Sequence, residues 1–180
     1  MSYCEFTKHL ADDHPDKVYH DKVYGFPVDE DNELFGRLIL EINQAGLSWS
    51  TILKKEKGFR KAYDNFDIEK VARYEDRDRE RLLNDSGIIR NKLKVNAAIY
   101  NANKILEIQE EFGSFKNWLD KHKTLSLDEW VKLFKQRFKF TGGKILEEFL
   151  MSTSYLKGAH TENCPIFEIV SEKQPIWDQD

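Results

Sequence analysis

Asp31-Asn32-Glu33-Leu34-Phe35-Gly36-Arg37-Leu38-Ile39-Leu40-Glu41-Ile42-Asn43-Gln44-Ala45-Gly46 is the stretch that decides the fold. Leu34, Leu38, Glu41 and Ala45 fall at i, i+4, i+7 and i+11, and Phe35, Ile39 and Ile42 widen the same stripe. The period is helical, and the breadth of the stripe predicts a helix buried on most of its sides. Gly46 predicts its end. One member of the stripe is out of place. A buried, unpaired carboxylate is costly, so Glu41 has to be neutral, paired with a cation, or facing a pocket that receives a positive or hydrogen-bond-donating ligand. A salt bridge to an Arg or Lys of another helix would be enough to account for it. The residues that follow favour a pocket. Asn43-Gln44-Ala45-Gly46-Leu47-Ser48-Trp49 sets two amides, a glycine turn and a large aromatic close to Glu41. Carboxylate, amide and a flat π surface suit a planar heterocycle with amine donors, such as a purine.

Outward from this stretch, helical signals dominate from Asp31 onward and no run shows strand-like alternation, so the class is all-α. A second helix is predicted from Ser48 or Ser50 to about Lys57, ended by Gly58. Short helices over Asp67–Tyr74 and Asp76–Asn84 lead to a turn, Ser86-Gly87-Ile88-Ile89-Arg90, and then to a helix carrying Val95, Ile99, Ala102 and Leu106 on one face. That turn has a glycine and a helix start just beyond it. It reads either as an ordinary helix–helix connection or as a place where free backbone N–H groups hold a phosphate. Further helices are predicted around Phe115-Trp118-Leu119, over Leu127–Phe138, and last over Lys144–Ser152. No internal repeat is present.

The 180 residues predict a single domain over 1–180, with an acidic tail after about residue 165. Apolar residues make up 40% and charged residues 33%, which fits a globular protein with a charged surface and argues against disorder. Arg37 and Glu41 interrupt the most apolar run, so no membrane span is expected. Met1-Ser2-Tyr3 opens without an apolar signal segment, and the expectation is a soluble, cytoplasmic protein. A formal net charge of −4 argues against coating nucleic acid by bulk electrostatics, though not against a small local DNA footprint. Lys92 and Lys94 are candidate phosphate contacts or merely solvated charges.

The chain has two cysteines, and each stands in a bracket with a histidine: Cys4 with His20, and His160 with Cys164. As one Cys2His2 set they would hold Zn²⁺ in a closed tetrahedron and clasp the termini together, a structural rather than a catalytic site. Spacing leaves open that the cysteines are buried and inert and the histidines lie on the surface. A Cys4–Cys164 disulfide fits a reducing compartment poorly.

Tyr19-His20-Asp21, Tyr24-Gly25-Phe26-Pro27, Leu40-Glu41-Ile42-Asn43-Gln44-Ala45-Gly46-Leu47-Ser48-Trp49, Ser86-Gly87-Ile88-Ile89-Arg90, Phe138-Lys139-Phe140 and His160-x3-Cys164 follow one another in an order that closely resembles the DNA-3-methyladenine glycosylase I family. The resemblance runs from Cys4 to Cys164. It implies an all-α fold of the helix-hairpin-helix glycosylase superfamily, one structural Zn²⁺ held by Cys4, His20, His160 and Cys164, and excision of 3-methyladenine from alkylated double-stranded DNA, with free 3-methyladenine as product; no lysine stands out as a Schiff-base former, so a monofunctional enzyme is expected, with a monomer as the default. It also implies a base pocket in which Glu41, the catalytic residue, hydrogen-bonds the methylated adenine. Tyr19, Trp49, Tyr24 and Phe6 would border the base, Tyr24 and Phe6 standing where the family usually carries Trp. Gly46 and Leu47 would lie on the loop that probes the lesion, and Gly87, Ile88 and Arg90 in the phosphate-gripping hairpin. The reading from another class is a non-catalytic binder of methylated purines or damaged DNA.

Overall fold

The computed structural model describes residues 2–179; the terminal residues Met1 and Asp180 of the expected 1–180 domain lie outside the described residues. Eleven α-helices and no strand occur among the described residues: α1 (Tyr3–Thr7), α2 (Pro15–Lys22), α3 (Asp31–Gln44), α4 (Trp49–Ala62), α5 (Ile68–Ala72), α6 (Asp76–Leu83), α7 (Lys92–Phe112), α8 (Phe115–Lys121), α9 (Leu127–Arg137), α10 (Gly143–Ser152) and α11 (Pro165–Glu172). Short 3-10 turns follow α4 and α11.

The fold is organised around α3. Every residue from Leu34 to Asn43 is buried, because α3 packs against α4, α5, α7, α8 and α10. A helix hydrophobic nearly all round is what such a central position demands. Gly36 lets the Phe66 ring lie against the α3 backbone, since a Cβ there would sit 2.3 Å from a ring carbon. A second mass of buried rings, Phe115, Trp118, Trp130, Phe134 and Phe138, anchors α8 and α9. Each such ring, fully buried, contributes about 1.5–3 kcal/mol relative to exposure.

Helix starts are set locally. Ser48, Asn91, Ser114 and Ser126 accept backbone N–H groups as N-caps of α4, α7, α8 and α9. Each such cap stabilises by about 1 kcal/mol. The structure corrects the sequence reading in three places. Two helices precede Asp31. The tail carries α11, started by Pro165 in the first helical position. And α4 runs through Gly58 to Ala62, because Gly58 is where the helix meets the Ser86–Arg90 turn: a Cβ on Gly58 would lie 2.3 Å from the Gly87 carbonyl oxygen. There the glycine serves close packing, not termination.

Candidate base-binding site and metal centre

Glu41 projects from the last turns of α3 and is 4% exposed. Among the described residues it has no ion pair, so the salt-bridge explanation fails. Its carboxyl lines a cavity of about 280 Å³. Tyr3 from α1, Tyr19 from α2 and Tyr24 just beyond it form the aromatic wall, and Trp49 opens α4 at another side. Gln44, one turn after Glu41, and Lys144 and Glu148 of α10 complete the lining.

The rings brace one another. Tyr19 lies 5.0 Å from Trp49 and 5.6 Å from Tyr24, and Tyr3 meets Tyr24 edge-on at 5.6 Å. Buried Asp16 ties two of these elements together, accepting hydrogen bonds from Tyr3 Oη (3.2 Å) and from Ser50 Oγ of α4 (2.8 Å). Two polar atoms of the wall, Tyr19 Oη and Trp49 Nε1, are buried without a hydrogen-bond partner. Ser152, which approaches Tyr19, donates its hydroxyl to the Phe149 carbonyl instead (2.9 Å). An unmet buried donor costs about 1–3 kcal/mol, which a ligand acceptor would offset.

Burial pushes the Glu41 carboxyl up to about 8, with the Glu148 carboxylate adding to the effect and Arg37 and Lys144 opposing it. At neutral pH the group is therefore mostly protonated and can both donate and accept. Arg37, one turn earlier, is committed elsewhere: its Nε donates to Glu33, its Nη1 to the Ser152 carbonyl, and its guanidinium lies 5.8 Å from the Tyr19 ring centre.

Leu47 sits on the turn between α3 and α4, and is 38% exposed. Gly46 gives that turn φ +83°, with open space where a Cβ would be, so backbone conformation alone requires the glycine. Gln44 Nε2 donates to the Leu47 carbonyl (2.7 Å), joining the turn to the cavity lining. From beneath, Lys94 Nζ donates to the carbonyls of Asn43 (2.9 Å) and Ala45 (2.8 Å). Lys94 is 5% exposed, so it holds the end of α3 and is not a phosphate contact.

Other sequence-stated positions fall differently. Phe6 is 40% exposed and stacks on Tyr3; Tyr3, not Phe6, lines the cavity. Ile88 is a core residue, 2% exposed, so its side chain is withheld from any DNA surface. The Gly87 N–H is already satisfied by Asp85 Oδ1 at 2.7 Å, which removes it as a free anion donor. Arg90 is exposed. A second tight turn, between α9 and α10, has Phe140 at φ +63° and 37% exposed, and leads to an α10 start without a side-chain cap.

At the opposite side of the aromatic wall, Cys4, His20, His160 and Cys164 converge, their ligand atoms all within 4.8 Å of one another. Both cysteines are free thiols. His160 Nδ1 lies 3.2 Å from His20 Nε2, 3.8 Å from Cys4 Sγ and 3.9 Å from Cys164 Sγ, and Cys164 Sγ lies 3.8 Å from His20 Nε2. The remaining ring nitrogens are oriented outward from the cluster: His20 Nδ1 against Asp21 Oδ1 and His160 Nε2 against the Tyr24 carbonyl, both at 2.7 Å. Fixing the second nitrogen in this way is how ligating histidines are aimed. The four side chains could hold one metal ion.

An all-helical fold that aims a buried carboxyl and stacked aromatic rings into a base-sized cavity, beside a turn bearing an exposed leucine, defines a helical nucleobase-handling enzyme of the DNA glycosylase kind. A methyladenine glycosylase family model matches residues 10–139. The chain is 35% identical to DNA-3-methyladenine glycosylase 1 of Escherichia coli (strain K12) over 82% of its own length and 88% of that protein's. It is 32% identical to the DNA-3-methyladenine glycosylase of Haemophilus influenzae over 82% and 89%. A solved 3-methyladenine DNA glycosylase I, a tyrosine-to-phenylalanine variant in complex with 3-methyladenine, superimposes with a TM-score of 0.83 at 30% identity over 92% of this chain and 97% of that one. The Staphylococcus aureus enzyme superimposes with a TM-score of 0.80 at 31% identity over 87% and 93%. This chain belongs to the methyladenine glycosylase family.

Two lining residues, Lys144 and Glu148, gave no signal in the sequence. Their i, i+4 spacing reads as a solvated ion pair on a helix face, and only the packing of α10 on α3 brings them to the cavity. Tyr3 could have been noticed as an aromatic beside Cys4, a member of the Cys/His cluster next to the wall.

Proposed function

We propose that this chain is a monofunctional DNA glycosylase that extrudes 3-methyladenine from alkylated double-stranded DNA and hydrolyses its N-glycosidic bond. The observation that carries the reading is Glu41: a buried carboxyl without an ion pair, opening into a cavity walled by Tyr19, Tyr24 and Trp49. Extrusion costs a few kcal/mol and is cheapest where pairing is already weakened, which supplies part of the selectivity. Leu47, on its glycine-formed turn beside the cavity, is suited to fill the gap left in the stack.

Alkylation makes the base a cation that departs as a neutral molecule, so general-acid help is not needed. An ionised carboxylate would attract the cation before cleavage more than the neutral base after it, and tighter ground-state binding does not accelerate the step, whereas the buried Glu41 carboxyl is mostly neutral. Glu41 therefore serves discrimination, through directed hydrogen bonds to the base edge. Positioning and electrostatic stabilisation of the oxocarbenium-like sugar supply the rate. The lysines support hydrolysis without strand cleavage. Lys144, at the cavity, is held protonated by the Glu148 and Glu147 carboxylates, and Lys94 is occupied by two carbonyls. Neither is a free amine nucleophile.

Cys4, His20, His160 and Cys164 are assigned to one structural Zn²⁺. Zn–S of about 2.3 Å and Zn–N of about 2.0–2.1 Å in a tetrahedron imply N···N near 3.3 Å and S···N near 3.6 Å. The cluster's 3.2 Å and 3.8–3.9 Å separations support that geometry. Four protein ligands complete the tetrahedron, so the ion staples α1, α2 and the loop before α11 and leaves hydrolysis to the cavity.

The test is chromatographic detection of free bases released from methylated duplex DNA, with Glu41→Ala and Glu41→Gln alongside. Release of 3-methyladenine by the wild type, its loss in Glu41→Ala, and a Gln variant that loses discrimination more than turnover are expected. A folded, metal-loaded protein that releases no base would instead be a binder of damaged DNA.

A further inference from the structure

The Cys/His cluster has an approach of its own. A cavity of about 520 Å³ opens onto it, with Cys4, Thr7, Lys8, Lys17, Asn163 and Cys164 in its lining. Among the described residues it shares no lining residue with the cavity of Glu41, so a small molecule reaches the two sulfurs without entering the base site. Cys4 is half-buried and Cys164 is 7% exposed, which makes Cys4 the sulfur that meets an incoming reagent first. The histidine side of the cluster is braced, His20 by Asp21 and His160 by the Tyr24 carbonyl. The cysteine side is not braced in the same way. Cys4 lies on a helix of five residues, and Cys164 on the residue that precedes the first turn of α11.

The chemistry of the donor set decides where an oxidant would act. Zn²⁺ does not change its oxidation state, and four protein ligands leave it no open position, so the reaction falls on the ligands. Of these, the thiolates are the nucleophiles. Their Sγ atoms lie within 4.8 Å of each other, and a disulfide brings them to about 2.0 Å. Rotation of the Cys4 side chain with a small shift of short α1 closes that gap. The chain has no third cysteine, so within one molecule each sulfur has a single possible partner.

We propose that Cys4 and Cys164 form a reversible oxidation site, at which a hydroperoxide turns the metal-held clasp into a disulfide-held one. This rests on the assignment of the four side chains to one Zn²⁺. The Cys4 thiolate attacks the terminal oxygen of the hydroperoxide: a sulfur–oxygen bond forms, the O–O bond breaks, and hydroxide or alkoxide leaves. The Cys164 thiolate then attacks the Cys4 sulfur, the S–S bond forms, and hydroxide leaves from the broken S–O bond. The two sulfurs give up two electrons, and the peroxide takes them up. Only His20 and His160 are then left as ligands, and the metal site is lost. The same two segments stay joined, because the new bond links the residues that the metal had linked. A thiol reductant restores both thiolates, as in the transient disulfides through which proteins of reducing compartments sense oxidants.

The experiment treats the zinc-loaded protein, freed of excess metal, with a slight excess of hydrogen peroxide. A chromogenic chelator follows zinc release, peptide mapping by mass spectrometry reads the state of the sulfurs, and calorimetry gives the melting temperature. Zinc is expected to leave in step with linkage of the Cys4 and Cys164 peptides within one chain, and reductant with added Zn²⁺ should reverse both changes. The oxidised protein should melt roughly 10 °C above the reduced, metal-free protein, since the disulfide restrains the unfolded chain over the span that the metal had closed. Zinc retained after oxidation, cysteine sulfinic or sulfonic acid without the linkage, a disulfide between two chains, or an oxidised protein that melts no higher than the reduced, metal-free one overturns the oxidation site and leaves the zinc assignment standing. A folded protein that takes up no zinc overturns that assignment, and the exchange of clasps with it.

Discussion

Glu41 links burial to pH dependence. Its ordinary value of 4.5 applies to the unfolded chain, and the folded value is about 8. Below 4.5 both states are protonated and the residue has no effect on stability. Between the two values the unfolded carboxyl ionises while the folded one keeps its proton, so folding becomes progressively less favourable as pH rises; above about 8 the cost is constant. Glu41→Gln does not titrate. The variant should match the wild type in stability at pH near 4.5 and exceed it increasingly toward pH 8, by up to about 5 kcal/mol at about 1.4 kcal/mol per pKa unit. Melting curves of both proteins across that range measure this, and parallel curves would mean that Glu41 is ionised throughout. The burial of this carboxyl destabilises the free protein, a local cost of the kind functional sites carry.

At the scale of elements, the junction of α4 with the Ser86–Arg90 turn shows packing overriding propensity. Alanine at an exposed helical glycine stabilises by about 0.5–1 kcal/mol. At Gly58 the added methyl would collide with the Gly87 backbone, which cannot rotate away as a side chain could. Gly58→Ala should therefore destabilise, by about 1–3 kcal/mol as overpacked sites do. Denaturant unfolding would measure it, and a gain in stability would show that the turn is free to move. The same turn bears Arg90, and its position relative to Leu47 is fixed through α7, where Asn91 caps the helix and Lys94 holds the end of α3. One pair of hydrogen bonds from Lys94 thus ties the base cavity to the surface expected to meet the DNA backbone.

For the whole molecule, the Cys4–His20–His160–Cys164 cluster joins residues 156 positions apart in sequence along its Cys4–His160 edge. Tyr3 is adjacent to one ligand, Tyr19 and Asp21 flank another, and the Tyr24 carbonyl orients a third, so the clasp and the aromatic wall are one structure. If the cluster holds the metal proposed for it, chelation should lower the melting temperature by roughly 10 °C, equivalent to about 3 kcal/mol at some 3 °C per kcal/mol for a chain of this size, and should weaken base binding along with it. Calorimetry with and without chelator, alongside metal analysis, provides the measurement. Unchanged melting on complete metal removal would show that the cluster is not a staple.

The all-α class, the central helix with its misplaced carboxyl, the glycine turn that follows it and the paired Cys/His brackets were all legible in the chain. Those signals are local: helical period, a backbone conformation that favours glycine, and ligand chemistry that depends on residue type. Other features were decided only by tertiary packing. Gly58 reads as a helix stop until the approach of Gly87 reveals a close contact, and Ile88 and Lys94 read as surface residues until helix packing buries them, Lys94 against the end of α3. Glu148 and Lys144 read as a solvated i, i+4 pair until α10 packs on α3 and presents them to the cavity beside Tyr24. The physical reason is the same in each case. Periodicity reports which face of an element is buried, whereas the identity of the neighbour across that face is set by which helices meet, and that information is spread over the whole chain.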